Sequence, residues 1–385
     1  MSVTLICERF DRWPESLGVS PVDVAAALVR AGRGVTVVCD CVQSLDPVPG
    51  VTVHTMRGER WRIVRRPEAF RPWALSHPAL RSADLSISLC PGVEAALWAP
   101  GVNWGWRAIR DEFLRTGLYT AAKRAAPWLL PRTRAARAAL RSTRRAVRTG
   151  LVTLIAPDAE HAHRLGLQSG APRERIALVG RFSGAPAPPT QQAERAAVRA
   201  TLGIDPSARV ALMAIDRSRS KAVACWRDAL DLLHGPPPVL LLTGGKMMAT
   251  LLHHRREGGC RVIGVGRTER FPALAAVCDA VIVPAAPSGM LDDALAADAL
   301  RLGLPVVAGR DRSRSAPGVE DLTRRFPARI QTVSESSAAI DERVAALRRA
   351  FDTTREPIEE LSVDALAQRL LQLARERSAR LPGRA

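Results

Sequence analysis

Val283-Pro284-Ala285-Ala286-Pro287-Ser288-Gly289-Met290-Leu291-Asp292-Asp293-Ala294-Leu295-Ala296-Ala297-Asp298-Ala299-Leu300-Arg301-Leu302-Gly303-Leu304-Pro305-Val306-Val307 is the stretch on which the fold turns. An apolar run over 280–283 ends in a loop with prolines and Ser288-Gly289. A helical stretch rich in Ala and Leu follows, and a second apolar run over 304–307 closes the unit. Short, wholly apolar runs joined by a helix mark strands buried on both faces of a parallel sheet.

The same rhythm extends in both directions. Strand-like runs lie at 210–215, 239–243 and 261–265 upstream and at 329–332 downstream, separated by helical patterns. A matching alternation fills the first half: strands at 3–7, 35–39, 51–53 and 85–89, and a helix over 20–31 with Ser20-Pro21 as cap and first helical residue. Beyond a basic segment come a strand at 151–155, a helix from Pro157-Asp158 and a strand at 176–179. Between the two series, Ser183-Gly184-Ala185-Pro186-Ala187-Pro188-Pro189-Thr190 holds too much proline to form an element and reads as a linker. The expected division is an N-terminal Rossmann-like domain over 1–182, a linker over 183–190, a C-terminal Rossmann-like domain over 191–355, and a tail over 356–385. In the tail, Leu361, Leu366, Leu370 and Leu373 at helical spacing predict a helix with one face packed on a domain. The predicted fold class is α/β: two doubly wound domains facing across a cleft, with ligands at the carboxyl ends of the strands.

With 385 residues, 47% apolar and 24% charged, the chain exceeds one ordinary core and can bury more than one. Disordered, collagenous and disulfide-scaffold classes are excluded. No apolar run reaches the ~18–20 residues of a bilayer span, and the chain opens on a strand-like run with no basic region or cleavage site, so neither export nor membrane crossing is expected. Cysteines 7, 39, 41, 90, 225, 260 and 278 include no C-x-x-C and mostly sit in apolar runs. That usage suits small hydrophobes in a reducing, cytoplasmic setting without a zinc site.

Most chemical motifs are missing. Gly244-Gly245-Lys246 follows a strand, yet no G-x-x-x-x-G-K-[ST] passes through it, so it reads as a strand-end turn. Asp40 ends the second strand, but the first strand leads into Glu8-Arg9-Phe10-Asp11-Arg12-Trp13-Pro14 and not G-x-G-x-x-G, which disfavours NAD. His161-x-His163 and His253-His254 lack partner spacings and read as solvated helix or loop histidines. No G-x-S-x-G supports a hydrolase. The stronger constellation is Arg217, Arg219 and Lys221, between the strand at 210–215 and a helix, together with the loop and helix of the opening stretch. A basic loop feeding a helix N-terminus can meet a diphosphate, and an acid on the other helix can accept from ribose hydroxyls. Solvated surface charge near strand ends is the competing reading.

Taken in order, the basic loop with its Lys, Leu240-Leu241-Leu242-Thr243-Gly244-Gly245, Arg261-Val262-Ile263-Gly264-Val265-Gly266-Arg267, Cys278-Asp279-Ala280-Val281-Ile282-Val283-Pro284 and Asp298-Ala299-Leu300-Arg301-Leu302-Gly303-Leu304-Pro305-Val306-Val307 resemble the donor half of retaining family 4 glycosyltransferases of GT-B fold. The flavour is nearest to bacterial lipopolysaccharide-core sugar transferases. Upstream, Arg173-Glu174-Arg175-Ile176-Ala177-Leu178-Val179 and the opening βαβ unit fit the same family over residues 3–375, less specifically. The resemblance implies that a sugar moves from a nucleotide-diphosphate donor to an acceptor hydroxyl with retention, without a metal or other cofactor. It implies an acceptor-side first domain and a donor-binding second one. Arg219 and Lys221 then match the pair that neutralises the leaving diphosphate. Arg217 and Gly266 join the donor site, and Asp298 stands at the second acid of the family's E-x7-E motif, on the nucleotide ribose. The first acid falls on Met290, the paired glycines after the first strand reduce to Gly18, and no histidine appears near Pro100-Gly101-Val102-Asn103. Asp292 or Asp293 is the nearest carboxylate to replace the missing one. A catalytically silent homologue that binds a partner is accordingly the alternative.

The formal charge of +18 is uneven, and of 56 basic residues only Lys123, Lys221 and Lys246 are lysine. Residues 101–150 hold twelve Arg and Lys against Asp111 and Glu112. At ~100° per residue, Arg134, Arg137, Arg141, Arg144, Arg145 and Arg148 fall on one helical arc of roughly 100°. Just before them, Ala126-Pro127-Trp128-Leu129-Leu130-Pro131 offers an aromatic tip. The pairing suits a peripheral position on the inner membrane face, where each Arg near anionic lipid contributes ~1 kcal/mol, and a glycolipid or polysaccharide acceptor. A solvated basic face is the bland alternative. Nucleic acid is the other charge-matched partner, but no recognised RNA or DNA module is present.

Overall fold

The computed structural model describes residues 1–11, 17–42, 47–56, 67–90, 93–100, 145, 147–148, 150, 152–184, 192–215, 220–244, 259–266, 274–275, 277–285, 290–310 and 317–380. The chain forms two compact units, one of Met1–Gly180 with Val363–Ala385 and one of Arg181–Ser362.

The first unit contains β1 (Ser2–Phe10), α1 (Pro21–Arg30), β2 (Gly34–Val42), β3 (Val51–Thr55), α2 (Pro67–Ser76), α3 (Pro78–Ser82), β4 (Leu85–Ser88), β5 (Leu97–Trp98), β6 (Thr153–Ala156), α4 (Ala159–Ser169) and β7 (Ile176–Leu178). Its parallel sheet has the order β3-β2-β1-β4-β5-β6-β7. The local signals read in the sequence are used as expected at α1. Ser20 caps the helix by accepting from the Asp23 amide at 3.0 Å, Pro21 opens it, and Val22, Val24, Ala25 and Leu28 are buried.

The second unit contains α5 (Gln192–Thr201), β8 (Val210–Ile215), α6 (Ser220–Asp231), β9 (Val239–Gly244), β10 (Arg261–Gly266), β11 (Ala280–Val283), α7 (Met290–Arg301), β12 (Val306–Arg310), α8 (Pro317–Arg325), β13 (Ile330–Ser334) and α9 (Ile340–Asp352). Its strands are again parallel, in the order β10-β9-β8-β11-β12-β13. Period-two alternation assigns the two faces. Val210, Leu212 and Ala214 join Leu241, Val281 and Val306 under α7 and α8. Ala211 and Met213 join Leu240, Ile282 and Val307 under α6 and α9. Every residue of α7 from Ala294 to Arg301 is buried, so this helix is core all round.

At the amino ends of these strands a closed polar network ties α5 to the sheet. Arg199, 4% exposed, donates from Nε and Nη2 to the Val277 carbonyl, from Nη2 to Asp279 and from Nη1 to the Pro206 and Ala208 carbonyls, at 2.9–3.0 Å. Asp279 also accepts from the Val210 amide at 2.8 Å and pairs with Arg195 and Arg355.

The last helix, α10 (Val363–Arg380), packs on α1 and is counted with the first unit. Arg30 and Asp364 pair there at 2.8 Å. Of the four leucines read as one helical stripe, Leu366, Leu370 and Leu373 are buried along α10. Leu361 instead ends the short turn Glu359–Leu361 and buries in the second unit's core. The stripe is interrupted because Ser362 bridges Ser183 in parallel, and Ser183 donates its amide to the Leu361 carbonyl at 2.7 Å. Ser183 and Gly184 thus belong to the second unit, while 185–190 of the linker reading lie outside the described residues.

Candidate functional site

In both sheets the first strand of the series sits mid-sheet, with the next strands added first on one side and then on the other. The order reverses between β1 and β4 and between β8 and β11. Connections leaving such a pair at their carboxyl ends diverge to opposite faces and leave a crevice for ligands. In the second unit the two diverging connections are those selected from the sequence. The segment carrying Arg217 and Arg219 joins β8 to α6, and the segment from Pro284 joins β11 to α7. Arg217 and Arg219 themselves lie outside the described residues, and of Lys221 the backbone is described, as the second residue of α6. Gly266 closes β10 at the sheet edge, after a register shift between Gly264 and Gly266.

Met290 is the first residue of α7 and Asp298 lies two turns on. The intervening spacing sets them roughly 80° apart around the helix and about 12 Å apart along it. The side chains of Met290, Asp292 and Asp293 lie outside the described residues. Asp298 is 9% exposed and accepts from the Ser183 hydroxyl at 2.6 Å. No local motif signals this bond, which joins α7 to the segment that bridges Ser362.

Glu335 was not singled out by sequence reasoning. It follows β13, and its Oε1 accepts from Trp226 Nε1 at 2.8 Å and from the Ala285 amide at 2.9 Å. One carboxylate oxygen thus reaches both α6 and the connection leaving β11. The only signal available was Trp226 itself, the one tryptophan beyond residue 128, which is fully buried.

In the first unit, Gly18 lies buried in the β1–α1 connection with φ of +80°, a conformation in which a side chain would clash with the backbone. The reading of His161 as solvated is corrected. It is 5% exposed, and its Nδ1 lies 2.7 Å from Asp158 Oδ2, because Asp158 caps α4 and turns its carboxylate onto both the amide and the ring of His161. His163 is exposed, as expected, and His253-His254 lie outside the described residues. So do Trp128, Arg134, Arg137, Arg141 and Arg144 of the basic segment. Arg145 and Arg148 are helical and exposed, whereas Val147 between them buries against Trp98 and Leu154. Trp98 is itself core, donating its indole N–H to the Cys90 carbonyl at 2.8 Å. All seven cysteines are free. Among the described residues there is no group of three His, Cys, Asp or Glu placed to hold a metal ion, and no helix long and apolar enough to cross a membrane.

No family model matches the chain, and no curated protein matches its sequence. Solved structures do match. WaaG, a glycosyltransferase involved in lipopolysaccharide biosynthesis, superposes with a TM-score of 0.60 at 14% identity, over 99% of this chain and 96% of that one. Sucrose-phosphate synthase from Thermosynechococcus elongatus gives 0.55 at 15% identity, over 98% and 99%. HepE from Anabaena, in complex with UDP-glucose, gives 0.52 at 16% identity, over 98% of both chains. These structural neighbours are GT-B glycosyltransferases, and the two parallel-sheet α/β domains of this chain have that fold.

Proposed function

We propose that this protein is a glycosyltransferase that moves a sugar from a nucleotide-diphosphate donor onto a glycolipid or cell-surface polysaccharide acceptor, with retention and without a metal. The observation that carries the reading is the strand order of the second sheet: the basic connection after β8 and the connection after β11 diverge from one switch point. In this reading Arg219 and Lys221 neutralise the diphosphate as it departs, an electrostatic role that needs no proton transfer. Arg217, Gly266 and Gly18 are assigned to donor binding, and Asp298 to accepting from the ribose. That HepE was solved with UDP-glucose supports a nucleotide-sugar donor, and the role of WaaG in lipopolysaccharide biosynthesis supports a glycolipid acceptor. The basic segment from Trp128 through Arg148 would hold the protein on the cytoplasmic face of the membrane, with nucleic acid a weaker match.

A panel of nucleotide sugars tests the donor. One of them raises the melting temperature and is slowly hydrolysed, and both effects weaken in Arg219→Ala and Lys221→Ala. A specific observation favours the second reading, a silent homologue: Met290 replaces the first acid of the motif, and Asp298 already accepts from Ser183. Stabilisation with no turnover selects that reading, and no response to any donor removes both. For the surface, the protein sediments with anionic but not neutral liposomes, less so when Arg137, Arg141 and Arg144 become Gln. Tight salt-sensitive RNA binding without liposome binding reverses the ranking.

A further inference from the structure

We propose that Glu335 is a positioning residue of the donor site, holding the connection from β11 to α7 against α6 through one carboxylate oxygen. The inference deepens the transferase reading and rests on it. Trp226, one of the two donors to Oε1, lies on the helix that opens with Ser220 and Lys221. Ala285, the other, lies five residues before Met290 opens α7. The two segments that diverge from the switch point are therefore joined by a single acceptor.

The rest of the neighbourhood fixes that acceptor in place. The Glu335 amide donates to the Arg310 carbonyl at 3.2 Å, and its carbonyl accepts from Cys225 Sγ at 3.6 Å. Arg343, 2% exposed, donates from Nη1 to the carbonyls of Ser334 and Ser336 on either side, at 3.0 and 2.7 Å. Gly309, on β12, leaves the passage open. A Cβ there would overlap Glu335 Oε1, stand 2.6 Å from its Cδ and 2.8 Å from the Ala285 amide. The carboxylate has no ion pair with a described residue, so its partly buried charge is held by neutral N–H donors. Each such bond is stronger than a neutral pair, and losing the acceptor strands both donors.

The test uses the full chain and the most stabilising member of a UDP-, GDP-, ADP- and CDP-sugar panel, with its nucleoside diphosphate as the second probe. On the transferase reading, which assigns the motif beginning at Met290 to the sugar, Glu335→Ala and Gly309→Ala each weaken the intact donor about tenfold and the diphosphate less than about twofold. Glu335→Gln keeps an acceptor oxygen and returns donor affinity to within about twofold of wild type. Trp226→Phe, which removes only one donor, falls between them, and with the Gln variant it carries the test if the Ala variants do not fold. Folded variants that bind the donor as wild type does, or that lose donor and diphosphate equally, overturn the positioning role. Wild-type protein that binds no nucleotide sugar removes the transferase reading, and this role with it.

Discussion

The two ends of the second sheet handle charge in opposite ways. At the amino end, Arg199 and Asp279 saturate one another and the surrounding backbone, so that every bond of the network closes within the protein. At the carboxyl end, the Glu335 carboxylate joins the start of the connection after β11 to the helix after β8, and its own amide bonds the Arg310 carbonyl at the end of β12. Both ends hold buried or half-buried charge, and only one lies where a doubly wound sheet takes ligands. Burial of a charge is therefore not a mark of function here. What separates the two is whether the groups it holds are core elements or the connections that diverge from a switch point.

This contrast can be broken most sharply at Arg199. Replacing it with Met strands the Val277, Pro206 and Ala208 carbonyls and leaves Asp279 short of a partner. We expect chemical denaturation to show a loss of about 3–5 kcal/mol, the scale for breaking one side of a buried charge network. Donor affinity of the folded fraction stays unchanged, opposite to the behaviour expected of Glu335→Ala. If Arg199→Met altered donor affinity in folded protein, the division between the two ends would fail.

The thiols offer a smaller effect. Burial, aided by Asp231, pushes the Cys260 thiol up to about 12, and burial beside Asp279 raises Cys278 further. Cys225, next to Glu335, is also raised by burial, but is only half-buried. A thiol whose folded pKa lies above its unfolded value of about 8.5 binds more protons folded than unfolded at alkaline pH. Stability is therefore complete below that value and declines as pH rises toward 12. Alkaline titration of unfolding should show this decline, and iodoacetamide should label Cys225 before Cys260 or Cys278. Equal labelling rates would remove the distinction.

The smallest effect belongs to Asp205, in the turn before β8. The hydroxyl and amide of Ser207 hold its carboxyl below the usual range. Its contribution is present above the ordinary carboxylate pKa and lost as pH falls through the depressed one. Asp205→Asn should lower neutral stability slightly and leave acid stability almost unchanged, so that denaturation followed against pH falls less steeply on the acid side.

Fold legibility followed run length. β8, β9 and β11 are continuous apolar runs and stand out in the sequence, whereas β5 is only Leu97–Trp98, too short for any periodicity to reveal. The tail helix was legible from its leucines, but not the break at Ser362, because the bridge to Ser183 is a long-range pairing without a local sign. At the site, chain order alone led to the two connections that the strand order then brought to one switch point. Glu335 was hidden because a lone carboxylate after an edge strand carries no spacing or motif. His161 was misread because capping by Asp158 is local geometry, visible only once α4 has a defined first turn.

Because α10 packs on α1, the first unit is made of two stretches of chain separated by the whole of the second. A ribosome delivers Leu366 and Leu370 only after residues 181–362 have emerged, so the first unit must wait, with the surface that receives them uncovered, for the last part of synthesis. Expression of residues 1–180 alone would yield a fragment lacking its final helix, whereas a short artificial link from Gly180 to Val363 would restore an uninterrupted unit.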